Sequence, residues 1–216
     1  MTDFQKMGGV SALIGAATWV FGMVLLFTLL APFATGDVDP GFLADNQAII
    51  YAWNIIIYVV FGVFLVVLLL ALHERLKAGS PAMVQTATAF GLIWAVVVFA
   101  SGMVFNIGME TVIDLYGKDP AQAESVWSAV NSVSIGLGGG NEVVGALWIL
   151  LLSWAALRAG GLPRALNYLG VVISVAGLLT LVPALEMMGV IFGLGSIVWF
   201  VWVGIVMLRG SPSAAA

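Results

Sequence analysis

In the stretch GLGGGNEVVGALW (136–148), an amide and a carboxyl, Asn141 and Glu142, follow three glycines at the mouth of a long apolar run. Three helical turns of polar groups elsewhere share their character. Asn54 precedes Tyr58 by one turn, and Asn106, Glu110 and Asp114 recur at i, i+4, i+8, the spacing that puts side chains on one helix face. Carboxylates and amide oxygens suit a hard cation, a proton or an organic amine. No Lys or Arg stands inside an apolar run to neutralise these acids, so they must be solvated, protonated or paired with a cation. Two readings of Glu142 stay open. A helix start close to water accepts an acid because its free amides and positive dipole end welcome one. A broken helix whose polar start enters a bundle is also a recurrent way to build a binding site. On the second reading Glu142 and Asn141 floor a polar, outward-facing ligand pocket rimmed by Asn54, Asn106 and Glu110, with Tyr58 one turn below Asn54.

Other chemistry finds little to work with. The chain has no Cys and a single His, His73, in ALHERLKAG beside Glu74 and Arg75. That excludes thiolate ligands, a Cys nucleophile, bis-His haem ligation and an H-E-x-x-H zinc site. His73 reads as solvated helix-end chemistry. GLGGGNE follows no strand and lacks the Lys of a phosphate-binding loop. No catalytic residue and no cofactor is assigned, no basic surface points to nucleic acid, and the metal preference of the acids stays undetermined. Met103, Met109, Met187 and Met188 would suit Cu(I), but thioethers also serve as plain filler in apolar bundles.

The elements that position these groups are membrane helices. Of the 216 residues 62% are hydrophobic and only 8% charged, against the roughly one quarter charged in soluble domains. A bilayer core of ~30 Å takes ~20 apolar residues as a helix. Six such spans are expected, at about 9–31, 48–72, 82–109, 141–158, 163–183 and 188–208, in a single all-α polytopic transmembrane domain covering 1–216. Ser80 and Pro81 start the third, Pro163 the fifth, and Pro183 closes the fifth. LKAGSP, LRAGGLP and LRGSP end the second, fourth and sixth with a base, a glycine and a proline, a repeated helix stop or a relic of a duplicated hairpin.

Between spans three and four, Asp119, Pro120 and Gln122 form a helix start, and an amphipathic helix of about 120–135 is expected at the outer interface. Val126, Val130, Val133 and Leu137 would form its apolar face, and Gly138, Gly139 and Gly140 would break it before Asn141 caps span four. The bases sort by side: Lys6, Arg75, Lys77, Arg158, Arg164 and Arg209 fall at the termini and the 2–3 and 4–5 loops, and only Lys118 lies opposite. This places both termini in the cytoplasm, in a cytoplasmic membrane. The n-region MTDFQKMGG has no net positive charge and LLAPFATG no A-x-A site, so the first span reads as retained. Trp19, Trp94, Trp148 and Trp199 lie deep, as core packing or as the lining of an apolar cavity. Small-residue spacings such as Gly136/Gly140, Gly189/Gly193 and Gly170/Ser174/Gly177 mark close helix approaches, within the chain, in a homo-oligomer or against a membrane partner.

The segment from NEVVGALWILLLSWAALRAGGLPRALNYLG to VWFVWVGIVMLR resembles the C-terminal half of a family of small bacterial six-span membrane proteins defined only as a domain of unknown function. The resemblance implies a bacterial cytoplasmic-membrane protein, carries no activity, and draws attention to Asn141, Glu142, Arg164 and Asn167. Two function classes stand beside ligand binding or transport: an accessory or assembly subunit, and an intramembrane enzyme.

Overall fold

The structure, a computed structural model, describes residues 3–139 and 142–209. Among the described residues there are helices and turns and no strands. In chain order they are α1 (Asp3–Leu26), α2 (Ala31–Thr35), α3 (Pro40–Asp45), α4 (Gln47–Asn54), a π-helical segment (Ile55–Val60), α5 (Phe61–Leu76), α6 (Pro81–Tyr116), α7 (Pro120–Ser134), a second π-helical segment (Ile135–Gly139), α8 (Val143–Ala159), α9 (Arg164–Leu179), a 3₁₀ turn (Pro183–Leu185) and α10 (Met188–Arg209).

Five stretches are long and apolar enough to cross a membrane: Asp3–Leu26, Gln47–Leu76, Pro81–Tyr116, Pro120–Ala159 and Met188–Arg209. Arg164–Leu179 is a shorter apolar helix of 16 residues. Helix limits differ from the sequence expectation at several places, the first helix starting already at Asp3 and the second running on to Leu76. The first long helix ends at Leu26, not near 31, and the chain restarts as α2 after a turn. The third runs on to Tyr116, carrying Glu110 and Asp114 as helical residues. The fifth ends at Leu179, four residues before Pro183, and the Thr180 hydroxyl at its C-cap donates to the Gly177 carbonyl at 2.6 Å.

The chain forms two compact units. The first comprises residues 1–17, 63–96 and 141–216. Its core is a ladder of aromatic rings: Trp94 and Trp148 lie 5.6 Å apart, Trp148 and Trp199 5.5 Å, and Trp199 and Phe200 5.6 Å. Close helix approach makes room for these rings. Gly145 lies under Trp94, Gly91 against Leu69 and Trp148, and Gly177 against Phe192 and Ala146. Trp94, Trp148 and Trp199 are thus buried packing residues. All six bases assigned to one side fall in this unit, at helix ends knit together. Arg75 donates to the Gly161 carbonyl (2.9 Å) and to Gln5 (3.4 Å), and Gly9 abuts Gly204 and Leu208.

The second unit comprises residues 18–62 and 97–140. Leu30, Leu43, Ile50, Trp53, Phe105, Met109, Val112, Ala123 and Trp127 form its core, and Phe33 stacks among Trp53, Phe105 and Trp127. Asp39 and Asp119 cap α3 and α7, accepting from the amides of Phe42 (2.8 Å) and Gln122 (3.1 Å). The buried face of α7 is Ala123, Trp127 and Ser134, with Val126 and Val130 beside it. The expected face is therefore rotated: Val133 is 52% exposed. The Trp127 indole explains the rotation, since its N–H reaches the Val38 carbonyl at 3.1 Å and turns that side inward.

Candidate functional site

Asn54, Tyr58, Asn106 and Glu110 all belong to the second unit. Asn54 and Tyr58 lie on the helical stretch that packs against the helix carrying Asn106. Tyr51, Asn54 and Tyr58 follow at i, i+3 and i+7, so α4 and its π-helical continuation present them on one side. The Tyr51 hydroxyl donates to the Asn106 carbonyl at 3.2 Å, and the Tyr58 side chain packs on Gly102, one turn earlier on α6. Asn54 lies between these two contacts and is 0% exposed. Neither its amide nitrogen nor its amide oxygen has a hydrogen-bond partner among the described residues, and neither does the Asn106 side-chain oxygen. Glu110, one turn beyond Asn106, is exposed at the wet end of the same helix, as is Asp114.

The local sequence accounts for the distortion beside Asn54. Ile55, Ile56 and Ile57, followed by Val59 and Val60, put β-branched side chains at nearly every position of one turn. Such side chains crowd the preceding turn of an α-helix. The helix widens there into the i→i+5 pattern, which frequently marks functional sites. Chemically, Asn54 offers an N–H₂ donor and an amide oxygen, and Asn106 a second amide oxygen, all withdrawn from water. Leaving such groups unmatched costs about 1–3 kcal/mol each.

Glu142 belongs to the first unit, where it takes the N-cap position of α8. Its backbone N–H donates to the Thr180 hydroxyl (3.3 Å) and its carbonyl accepts from Ala146 (2.9 Å), while its side chain is partly buried and caps no amide. Asn141, expected to cap this helix, lies outside the described residues; the cap among those described is Glu142 itself. In the second unit the π-helical segment Ile135–Gly139 departs from helical geometry at Gly138, whose φ of 151° strains any residue with a side chain.

Sequence reasoning passed over several polar positions. Ser101 donates to the Ser134 carbonyl at 2.8 Å in the second unit. Ser153 and Ser196 are fully buried in the first, as are Ser174, read only as a small packing residue, and Asn167, to which the family resemblance draws attention. Hydroxyls inside apolar runs were the available signal. His73 is partly buried, unlike the solvated residue expected: its Nδ1 lies 2.9 Å from the Thr88 hydroxyl, which itself donates to Val84. Among the described residues no three His, Asp or Glu side chains gather closely enough to hold a metal ion. An open groove of about 290 Å³ between Lys6, Met7, Val10, Ser11, Phe64 and Val67 is almost wholly apolar and offers no convergent polar groups.

Apolar helices of membrane-crossing length, with polar groups held inside, define an integral membrane protein. The chain belongs to the family of the domain of unknown function DUF4386, whose model matches residues 7–208. The likeness read from residues 141–208 thus extends through the first half, which includes Asn54 and Asn106. No curated protein and no solved structure matches the chain.

Proposed function

We propose that the protein is a six-span protein of the cytoplasmic membrane, with both termini in the cytoplasm, that binds a small cation or organic amine beside Asn54 where α4 packs on α6, in the manner of a transporter or channel. The observation that carries this reading is Asn54: a fully buried amide with both polar atoms unmatched, beside a widened helical turn. Amide oxygens are hard donors for a cation stripped of part of its water, and the N–H₂ group would orient any oxygen the ligand brings. Tyr58 borders the same contact and Glu110 supplies negative charge at its wet end. Glu142 and Asn141 remain candidate ligand groups of the first unit. The alternative of an accessory subunit called for glycine faces left free for a partner. Gly8, Gly9, Gly91, Gly145, Gly170, Gly177 and Gly204 abut neighbouring helices of their own unit, whereas Gly136 has nothing within 4 Å and Gly189 only the Thr180 methyl at 3.6 Å, so that alternative keeps a foothold at those two positions.

The test is thermal unfolding of the detergent-purified protein in sodium, magnesium and tetramethylammonium chlorides, for wild type, Asn54→Leu and Glu142→Gln. One of these cations should raise the wild-type midpoint by several degrees through binding to the folded state. The shift should vanish in Asn54→Leu and persist in Glu142→Gln. Loss only in Glu142→Gln moves the site to the first unit, and midpoints indifferent to all three salts sink the reading.

A further inference from the structure

The open groove of the first unit lies between α1 and α5, and it is independent of Asn54. Two contacts set these helices antiparallel. Near the start of α1 the Gln5 amide donates to the Ala71 carbonyl at 2.9 Å, and Gly8 abuts the Ala71 methyl. Further along, Val10 and Ser11 of α1 share the groove of about 290 Å³ with Phe64 and Val67 of α5. Phe64 stands seven residues before Ala71, which carries the groove about 10 Å along the helix axes. Its lining is apolar apart from the buried Ser11 and from Lys6, which stands at the end where α1 begins. The result is an apolar slot with one cation at its mouth.

Shape and charge select the occupant. A further helix, about 10–12 Å across with its side chains, is too wide for a slot between two neighbouring helices, whereas a hydrocarbon chain is not. The mouth favours an anion. Asp3 is the ion-pair partner of Lys6, but it lies 3.9 Å away, beyond hydrogen-bond length, and is 98% exposed, so the ammonium keeps its donors for another acceptor. Glu74, the other acid of this end, is held by Lys77 at 2.7 Å. Six bases and these two acids gather at the helix ends on this side of the unit, and Gln5 draws the Arg75 guanidinium to α1 at 3.4 Å. The local field is therefore positive. We propose that the groove binds one acyl chain of an anionic phospholipid, with the lipid phosphate on Lys6. Base clusters beside membrane helices draw anionic headgroups, and a lysine can lay its methylene stem along apolar surface while its ammonium stays at headgroup level. A zwitterionic lipid brings a cation of its own, which the field of this end opposes.

The experiment is native mass spectrometry of the full chain in detergent, with equimolar phosphatidylglycerol and phosphatidylcholine of identical acyl chains. Wild type should retain phosphatidylglycerol over phosphatidylcholine by about fivefold, the gain that one base beside an anionic headgroup supplies. Lys6→Gln should lose most of that preference. Val10→Trp should fill the groove with a ring and lose the bound lipid. Val172→Trp, the same change at a 62% exposed position of α9 outside the groove, should behave as wild type. Lys6, Val10 and Val172 are all exposed, so the three variants keep the packed core. Equal retention of the two lipids by wild type overturns the proposal, as does a preference kept by Lys6→Gln or Val10→Trp, or one lost equally in Val172→Trp. A wild-type dimer that Val10→Trp abolishes gives the groove to a second copy of the chain and overturns it as well.

Discussion

The Tyr51 hydroxyl donates to the backbone carbonyl of Asn106 across 3.2 Å, although 55 residues separate the two in sequence. The bond fixes α4 against α6 one turn from Asn54, and so sets the space in which the Asn54 amide is held. The acceptor is a helix carbonyl, so a lone pair is free for this bond without loss of the α6 ladder.

Tyr51→Phe should lower the thermal midpoint by a small amount, since it removes one part-buried hydrogen bond and no ring. Interhelical bonds in membranes average about 0.6 kcal/mol, which corresponds to a shift of about 1–3 °C in a protein of this size. Thermal unfolding in the same detergent as wild type measures it. A shift beyond 10 °C would mean that the hydroxyl holds more than this one bond.

Asn54→Leu should behave oppositely in protein free of added cations. Leucine is nearly isosteric, and it replaces a buried amide with two unmatched polar atoms by an apolar group. Such replacements are neutral or stabilising where nothing satisfies the amide, and binding sites commonly keep groups that cost stability. The midpoint should therefore hold or rise while the cation-induced shift is lost. A fall of several degrees would show that Asn54 is structural.

The apolar runs were legible in the sequence because a bilayer core imposes one length on every crossing helix, and the start of α7 because Asp119, Pro120 and Gln122 carry their own signal. The face of α7 was not, because periodicity weighs Val126, Val130 and Val133 alike and cannot know that Trp127 has the Val38 carbonyl to reach. Asn54 and Asn106 were legible as polar groups in apolar runs. That neither side-chain oxygen is satisfied was not, since satisfaction depends on which turn of another helix lies opposite. The widened turn at Ile55–Val60 was written in its β-branched run, but the same run reads equally well as ordinary membrane helix.

The proposed orientation can be read by single-cysteine labelling, because the chain has no cysteine of its own. In intact cells a membrane-impermeant maleimide should label Lys118→Cys and leave Lys77→Cys untouched until lysis. Lys77 pairs with Glu74 at 2.7 Å, an exposed pair whose loss should cost little stability. Labelling of both positions, or of Lys77→Cys alone, would reverse or dissolve the six-span arrangement.

Gly138 and Gly136 make a paired test of the break that precedes Glu142. Gly138 has φ 151° and ψ 10°, a conformation that any Cβ strains, at about 1–3 kcal/mol for a residue held in a sparsely populated region. Gly136, two residues earlier in the same π-helical segment, has a negative φ and nothing within 4 Å of where its Cβ would stand. Alanine in a helix is favoured over glycine by about 1 kcal/mol. Gly138→Ala should therefore lower the midpoint by several degrees, and Gly136→Ala should leave it level or raise it slightly. Equal effects from the two substitutions would mean that the chain does not turn at Gly138.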